Sequence, residues 1–97
     1  MENIGQMQDA VEKTFTIKNK LGLHARAASL FVQLANKFSS DILVQKNDQE
    51  VNGKSIMGIL ILAAAQGTRI TVRVSGDDAD RAIDAIGKLI DDGFGED

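Results

Sequence analysis

The stretch Arg69-Ile70-Thr71-Val72-Arg73-Val74-Ser75-Gly76-Asp77-Asp78-Ala79, continuing to Ile90, holds two periods in succession. Ile70, Val72 and Val74 alternate with Arg69, Thr71 and Arg73, which is the pattern of a strand with one buried face. Ser75-Gly76-Asp77-Asp78 reads as a turn and helix cap. Ala79, Ala82, Ile83, Ile86, Leu89 and Ile90 then recur at spacings of three and four, the stripe of an amphipathic helix. A half-wet strand feeding such a helix suits an antiparallel sheet covered on one face, a two-layer α+β domain.

The same two periods recur upstream. Phe15 and Ile17 alternate with Thr14, Thr16 and Lys18, a strand expected to begin near Val11. Asn19 to Gly22 form a loop. From Ala25 the period lengthens: Ala28, Phe31, Ala35 and Phe38, with Leu34 beside them, mark a helix. Ile42 and Val44 mark a second strand, Asn47-Asp48 a turn, and Glu50-Val51 a short third strand. Ser55 precedes Ile56-Met57-Gly58-Ile59-Leu60-Ile61-Leu62-Ala63-Ala64-Ala65. Serine is a favoured N-cap, because its hydroxyl accepts from a first-turn N–H, so a short helix is expected there, ending before Gly67. The order is βαββαβα. The expected domain spans residues 13–91, with an N-terminal extension over 1–12 and a frayed tail over 92–97.

Composition narrows the function. The 97 residues fit one domain, and 43% hydrophobic with 26% charged residues is globular. No cysteine is present, so disulfides and thiolate metal sites are excluded, in keeping with a reducing cytoplasm. The apolar run from Ile56 to Ala65 carries Gly58 and is about half the roughly 20 residues that cross a bilayer. The N-terminus is acidic and lacks the basic-then-apolar pattern of a signal peptide, so a cytoplasmic protein without membrane insertion is expected. A net charge of −3 argues against nucleic-acid binding. Residues 14–76 carry eight Lys/Arg against three Asp/Glu, whereas residues 77–97 carry two against eight.

The one histidine, His24, lies in Leu21-Gly22-Leu23-His24-Ala25-Arg26-Ala27-Ala28-Ser29, between a strand and a helix. That places it at a helix N-terminus, where the first N–H groups lack intrahelical partners and the dipole favours anions. The backbone of Ala25, Arg26 and Ala27 is therefore a candidate phosphate cradle. Arg26 adds a guanidinium suited to phosphate oxygens. No base, acid partner or metal set accompanies His24, so a stand-alone hydrolase is disfavoured, and neither metal nor cofactor is expected.

Gly22-Leu23-His24-Ala25-Arg26 resembles the phosphorylation-site motif of HPr, the phosphocarrier family of the bacterial phosphoenolpyruvate-dependent phosphotransferase system. Asn52-Gly53-Lys54-Ser55-Ile56-Met57-Gly58 resembles the family's regulatory serine segment. Gln66-Gly67-Thr68 and Gly76-Asp77-Asp78 also match, and the resemblance runs from about Thr14 to Ile90. It implies an open-faced β-sandwich, a four-stranded antiparallel sheet with three helices on one face. It implies a carrier rather than an enzyme: His24 takes phosphate on Nδ1 from enzyme I and passes it to an enzyme IIA domain. Arg26 stabilises the phosphate, and Ser55 is the site of an HPr serine kinase/phosphorylase. Ala27 departs from the family, which commonly has proline there.

The resemblance also bears on docking. The apolar residues around Ile56 exceed what one helix face can bury, so either some are simply exposed or they form a contact patch. The patch reading joins Arg26 and Ser29 to Ile56, Met57 and Leu60, with the chain acting as a monomer. Ser55 is either a cap alone or a cap that is also a regulatory phosphosite. The other functional reading is a regulatory HPr-like module that works by phosphorylation-dependent protein binding.

Overall fold

The computed structural model describes residues 10–96. Strands β1 (Ala10–Thr16), β2 (Asp41–Lys46), β3 (Gln49–Asn52) and β4 (Arg69–Ser75) form one sheet in the order β1-β4-β2-β3. Every pairing is antiparallel. Helices α1 (Ala25–Ala35), α2 (Ile56–Leu62) and α3 (Ala79–Asp91) cover one face, and a 3-10 turn (Gly93–Gly95) follows α3. The expected βαββαβα order and α+β class hold. β1 begins at Ala10, inside the expected extension, and the rest of that extension lies outside the described residues.

Alternation sets the layers. Ile42 and Val44 of β2 and Ile70, Val72 and Val74 of β4 are buried under the helices. Phe31 and Val32 of α1, Ile59 and Leu62 of α2, and Ile83, Ile86 and Ile90 of α3 meet them. Burying each of these side chains contributes about 1.5–3 kcal/mol. On the opposite face Arg73 lies within ion-pair range of Glu12 and Glu50, and Thr14 meets Thr71. Gly87 of α3 sits over Phe15, where an added Cβ would come within 2.7 Å of the ring. No helix among the described residues is long and apolar enough to cross a membrane.

Two boundaries differ from the sequence expectation, and both bear on His24. Helix α2 stops at Leu62 rather than running on to Ala65, because Ala63 adopts left-handed geometry (φ 50°, ψ 43°). The next carbonyl, of Ala64, accepts the N–H of Leu23 at 2.9 Å. A tertiary hydrogen bond thus ends a helix that alanine propensity alone would extend. The second difference is the tail expected to fray over 92–97: Gly93–Gly95 form a 3-10 turn with Phe94 1% exposed, while Asp97 lies outside the described residues.

Candidate functional site

The chain reaches His24 through a loop with little freedom. Ile17 and Gly67 hold this crossing: the N–H of Ile17 donates to Thr68 and that of Gly67 to the Ile17 carbonyl. The N–H of Gly22 donates to the Asn19 carbonyl at 3.1 Å, closing a turn. Gly22 has φ +66°, and a Cβ there would lie 2.4 Å from the Ala64 carbonyl oxygen. Only glycine fits both the backbone angle and the close approach. Leu23 is then buried, and the chain turns into α1 at His24.

His24 is the N-cap of α1, with extended backbone (φ −78°, ψ −178°) and no capping bond from its side chain. The helical ladder begins with the N–H of Ala28 donating to the His24 carbonyl at 2.8 Å. The N–H groups of Ala25, Arg26 and Ala27 lie ahead of that ladder, and no acidic residue occupies the first turn. The anion-favouring helix start read from sequence is therefore present, with a half-buried imidazole at its mouth. Ala27 itself is fully buried against the core, which seats this first turn firmly.

Sequence reasoning missed the group that faces the imidazole. Glu96 places Oε2 2.7 Å from Nε2 of His24 and 2.8 Å from Nη1 of Arg26. Its other oxygen accepts from Nδ2 of Asn19 at 3.0 Å. These donors hold its carboxyl below the usual carboxylate range, Asn19 contributing most, then His24 and Arg26. Arg26 also donates to the Phe94 carbonyl at 3.1 Å. Asn19 is buried and directs its amide hydrogens to Gly22 and Glu96, leaving Oδ1 buried without a partner among the described residues. An isolated phenylalanine in a short polar tail was the one sequence sign that residues 92–96 would pack.

The other residues singled out from sequence lie on α1 and α2, which pack against each other. Ser55 is the N-cap of α2, and its hydroxyl accepts from the Gly58 N–H at 3.1 Å. Ile56 and Met57 are exposed, Met57 by 68%. Leu60 is only half exposed and packs against the core, while Leu21 and Ile61 are exposed apolar residues not picked out as contacts. Ser29 is half-buried, and its hydroxyl accepts from Gln33. No cluster of side chains suited to a metal ion occurs among the described residues.

This architecture has close relatives. Residues 11–92 match the family model described as "PTS HPr component phosphorylation site". The "Phosphocarrier protein HPr" of Neisseria meningitidis serogroup A is 50% identical over 86 residues, 89% of this chain and 97% of that protein. The protein of the same name from Xylella fastidiosa (strain Temecula1) is 47% identical over 87 residues, 90% of this chain and 98% of its own. Among solved structures, HPr-C-His from Thermoanaerobacter tengcongensis superposes with a TM-score of 0.87 at 53% identity, covering 90% of this chain and 98% of its own. With the motif at a helix start, the open-faced sandwich and this likeness over nearly the whole chain, the protein belongs to the HPr phosphocarrier family of the phosphotransferase system.

Proposed function

We propose that this protein carries a phosphoryl group on His24, taking it from phospho-enzyme I and giving it to an enzyme IIA domain. The observation that supports this most directly is the imidazole at the uncapped start of α1, beside Arg26 and ahead of the first helical hydrogen bond. In this reading the Nδ1 lone pair attacks phosphorus, and the bond from phosphorus to the donor breaks with its electrons passing to the donor. The phosphoryl oxygens then meet the N–H groups of Ala25, Arg26 and Ala27 and the Arg26 guanidinium. A carrier needs only this nucleophile and anion cradle, because enzyme I and enzyme IIA supply the remaining chemistry.

Docking belongs to the same proposal. Arg26 and Ser29 supply a polar rim, and Ile56, Met57 and the exposed part of Leu60 an apolar centre, the usual anatomy of a contact surface. Ser55 at the head of α2 is the proposed regulatory phosphosite. Cytoplasmic residence and action as a monomer are part of the same proposal.

The test is transfer of labelled phosphate from phosphoenolpyruvate through enzyme I. Wild-type protein is expected to take up acid-labile, alkali-stable label and pass it to an enzyme IIA, and His24→Ala to take up none. Undiminished labelling of His24→Ala would remove His24 from the proposal.

A further inference from the structure

We propose that Glu96 is a positioning residue for transfer through His24: its carboxylate fixes the proton on Nε2 and balances the positive charge that the ring gains when Nδ1 bonds to phosphorus. This rests on the reading of His24 as the phosphoryl acceptor.

The contact is built rather than incidental. Three donors from separate residues converge on one carboxylate: Nε2 of His24 at 2.7 Å, Nη1 of Arg26 at 2.8 Å and Nδ2 of Asn19 at 3.0 Å. The Glu96 side chain is only 16% exposed. Its support is deeper still, since Asn19 is 2% and Phe94 1% exposed. Gly93, Phe94 and Gly95 all have positive φ, a left-handed turn that doubles the chain back after α3 and presents Glu96. The N–H of Glu96 closes that turn on the Gly93 carbonyl at 3.0 Å. Phenylalanine is costly in that conformation and stays there only when its surroundings demand it.

The chemistry follows from the inventory of donors. An ionised carboxylate can only accept, so the hydrogen at the 2.7 Å contact belongs to Nε2. In a neutral ring the lone pair then resides on Nδ1, where no described residue bonds it. When Nδ1 forms its bond to phosphorus, the donor's bond breaks with its electron pair and the Nε2 proton stays. The ring becomes a cation facing Glu96. On donation the phosphorus bond breaks toward Nδ1 and the ring is neutral again, its proton unmoved. A carboxylate behind an imidazole orients it and stabilises the cation without taking the proton. Arg26 has five N–H donors, and those not engaged by Glu96 and Phe94 remain for the phosphoryl oxygens.

The competing view is a latch in which Glu96 occupies Arg26 in place of phosphate; it predicts the opposite sign. Glu96→Gln in the full chain removes the charge and keeps the size. Phosphorylation is followed with phosphoenolpyruvate and enzyme I over a range of carrier concentrations. Under the proposal the maximal rate falls about three- to tenfold, the scale of one ordinary hydrogen bond, because glutamine keeps a neutral acceptor and loses only the charge. The apparent KM for the carrier changes by less than about twofold. In nitrogen-15 NMR the wild-type ring shows its proton on Nε2, and that signal broadens in Glu96→Gln. Glu96→Asp restores the charge and recovers part of the rate. An unchanged or faster rate in Glu96→Gln overturns the proposal, as does a neutral wild-type ring with its proton on Nδ1. Equal losses in the Asp and Gln variants also overturn it, since the effect would then be packing. Should wild-type protein take no label, the acceptor reading falls and this inference with it. Normal wild-type labelling beside an unaffected Glu96→Gln removes this inference alone.

Discussion

Helices α1 and α2 begin in opposite ways. At α2, Ser55 accepts from the Gly58 N–H, so the protein satisfies its own helix start. At α1, His24 occupies the cap position and its side chain bonds no helix N–H. It turns instead to Glu96, from the far end of the chain. Serine at a cap is a stability device, and a cap residue that leaves the first N–H groups unsatisfied is a liability unless a ligand uses them. The start of α1 is thus held open by its surroundings, Gly22, Leu23 and Ala64, rather than closed by its own side chain.

The largest expected effect comes from breaking that surround. Gly22→Ala would need a left-handed alanine whose Cβ lies 2.4 Å from the Ala64 carbonyl oxygen and 2.9 Å from the Ala65 Cα. Strain and overlap together are expected to remove about 2–4 kcal/mol of stability, read by urea unfolding. Transfer should fall further than stability does, because the loop that aims His24 must move. A Gly22→Ala protein of normal stability and normal transfer would show that the approach to Ala64 does not position the site.

The two cap residues should also separate in stability. Ser55→Ala leaves the Gly58 N–H without its partner and is expected to cost about 1 kcal/mol. His24→Ala removes no cap bond; it loses the Nε2 contact to Glu96, whose carboxylate Asn19 and Arg26 still satisfy, so it should cost less stability than Ser55→Ala while abolishing transfer. Urea midpoints of the two variants settle the contrast; equal losses would mean that the α1 start depends on its histidine for folding.

How much of this was legible depends on the range of the interaction. The four strands and three α-helices could be read, because periods of two and of three to four are local records of burial, as Ile70-Val72-Val74 and Ile83-Ile86-Ile90 show, whereas the 3-10 turn at Gly93–Gly95 has no such period. His24 and Ser55 were legible as helix starts for the same reason. The end of α2 was not, since Ala63 leaves the helix where the neighbouring Ala64 carbonyl serves Leu23, some forty residues earlier in the chain. Glu96 was less legible still. It reaches His24 across 72 residues of sequence, and a carboxylate in an acidic tail looks like a solvated charge until Phe94 is seen to anchor it.

A third helix start extends the comparison. Asp78, at the N-cap of α3, makes no cap bond either; its carboxylate accepts from the N–H groups of Ser39 and Ser40, at 2.9 and 3.0 Å, and from the Ser40 hydroxyl. The Ser40 hydroxyl, followed by the Ser39 N–H, lowers its pKa from the ordinary 3.8 to about 2. A depressed folded-state pKa means stability that is present above the unfolded value and lost as pH falls through the folded one. The wild-type melting temperature should therefore drop between about pH 4 and pH 2 partly through Asp78. Asp78→Asn should be less stable than wild type at pH 7 and lose less on acidification. Parallel melting curves for the two proteins over that range would assign the acid sensitivity elsewhere, Glu96 being the next carboxylate with a lowered value.

The smallest expected effect sharpens the comparison most, because it adds to α2 the anion that α1 is proposed to receive. Phosphate on Ser55 would face the first N–H groups of α2 and the positive end of its dipole, a gain of roughly 0.3–1 kcal/mol at an exposed site. The gain should sit at the lower end, because α2 has only seven residues and Lys54, adjacent in sequence, already donates its ammonium to the Phe38 carbonyl at 2.7 Å. The same group adds about −1.5 to −2 charge beside exposed Ile56 and Met57. Residues 14–76 are basic on balance, which complements an acidic partner, so association with enzyme I should slow and weaken. Ser55→Asp carries less charge and should show both effects in smaller form. Melting temperature and enzyme I transfer rate can be read from one sample. Faster transfer by the phosphorylated form would refute the electrostatic argument. A lower melting temperature would show instead that the lost hydroxyl-to-Gly58 geometry outweighs the new charge, making Ser55 a better cap than a phosphate can be.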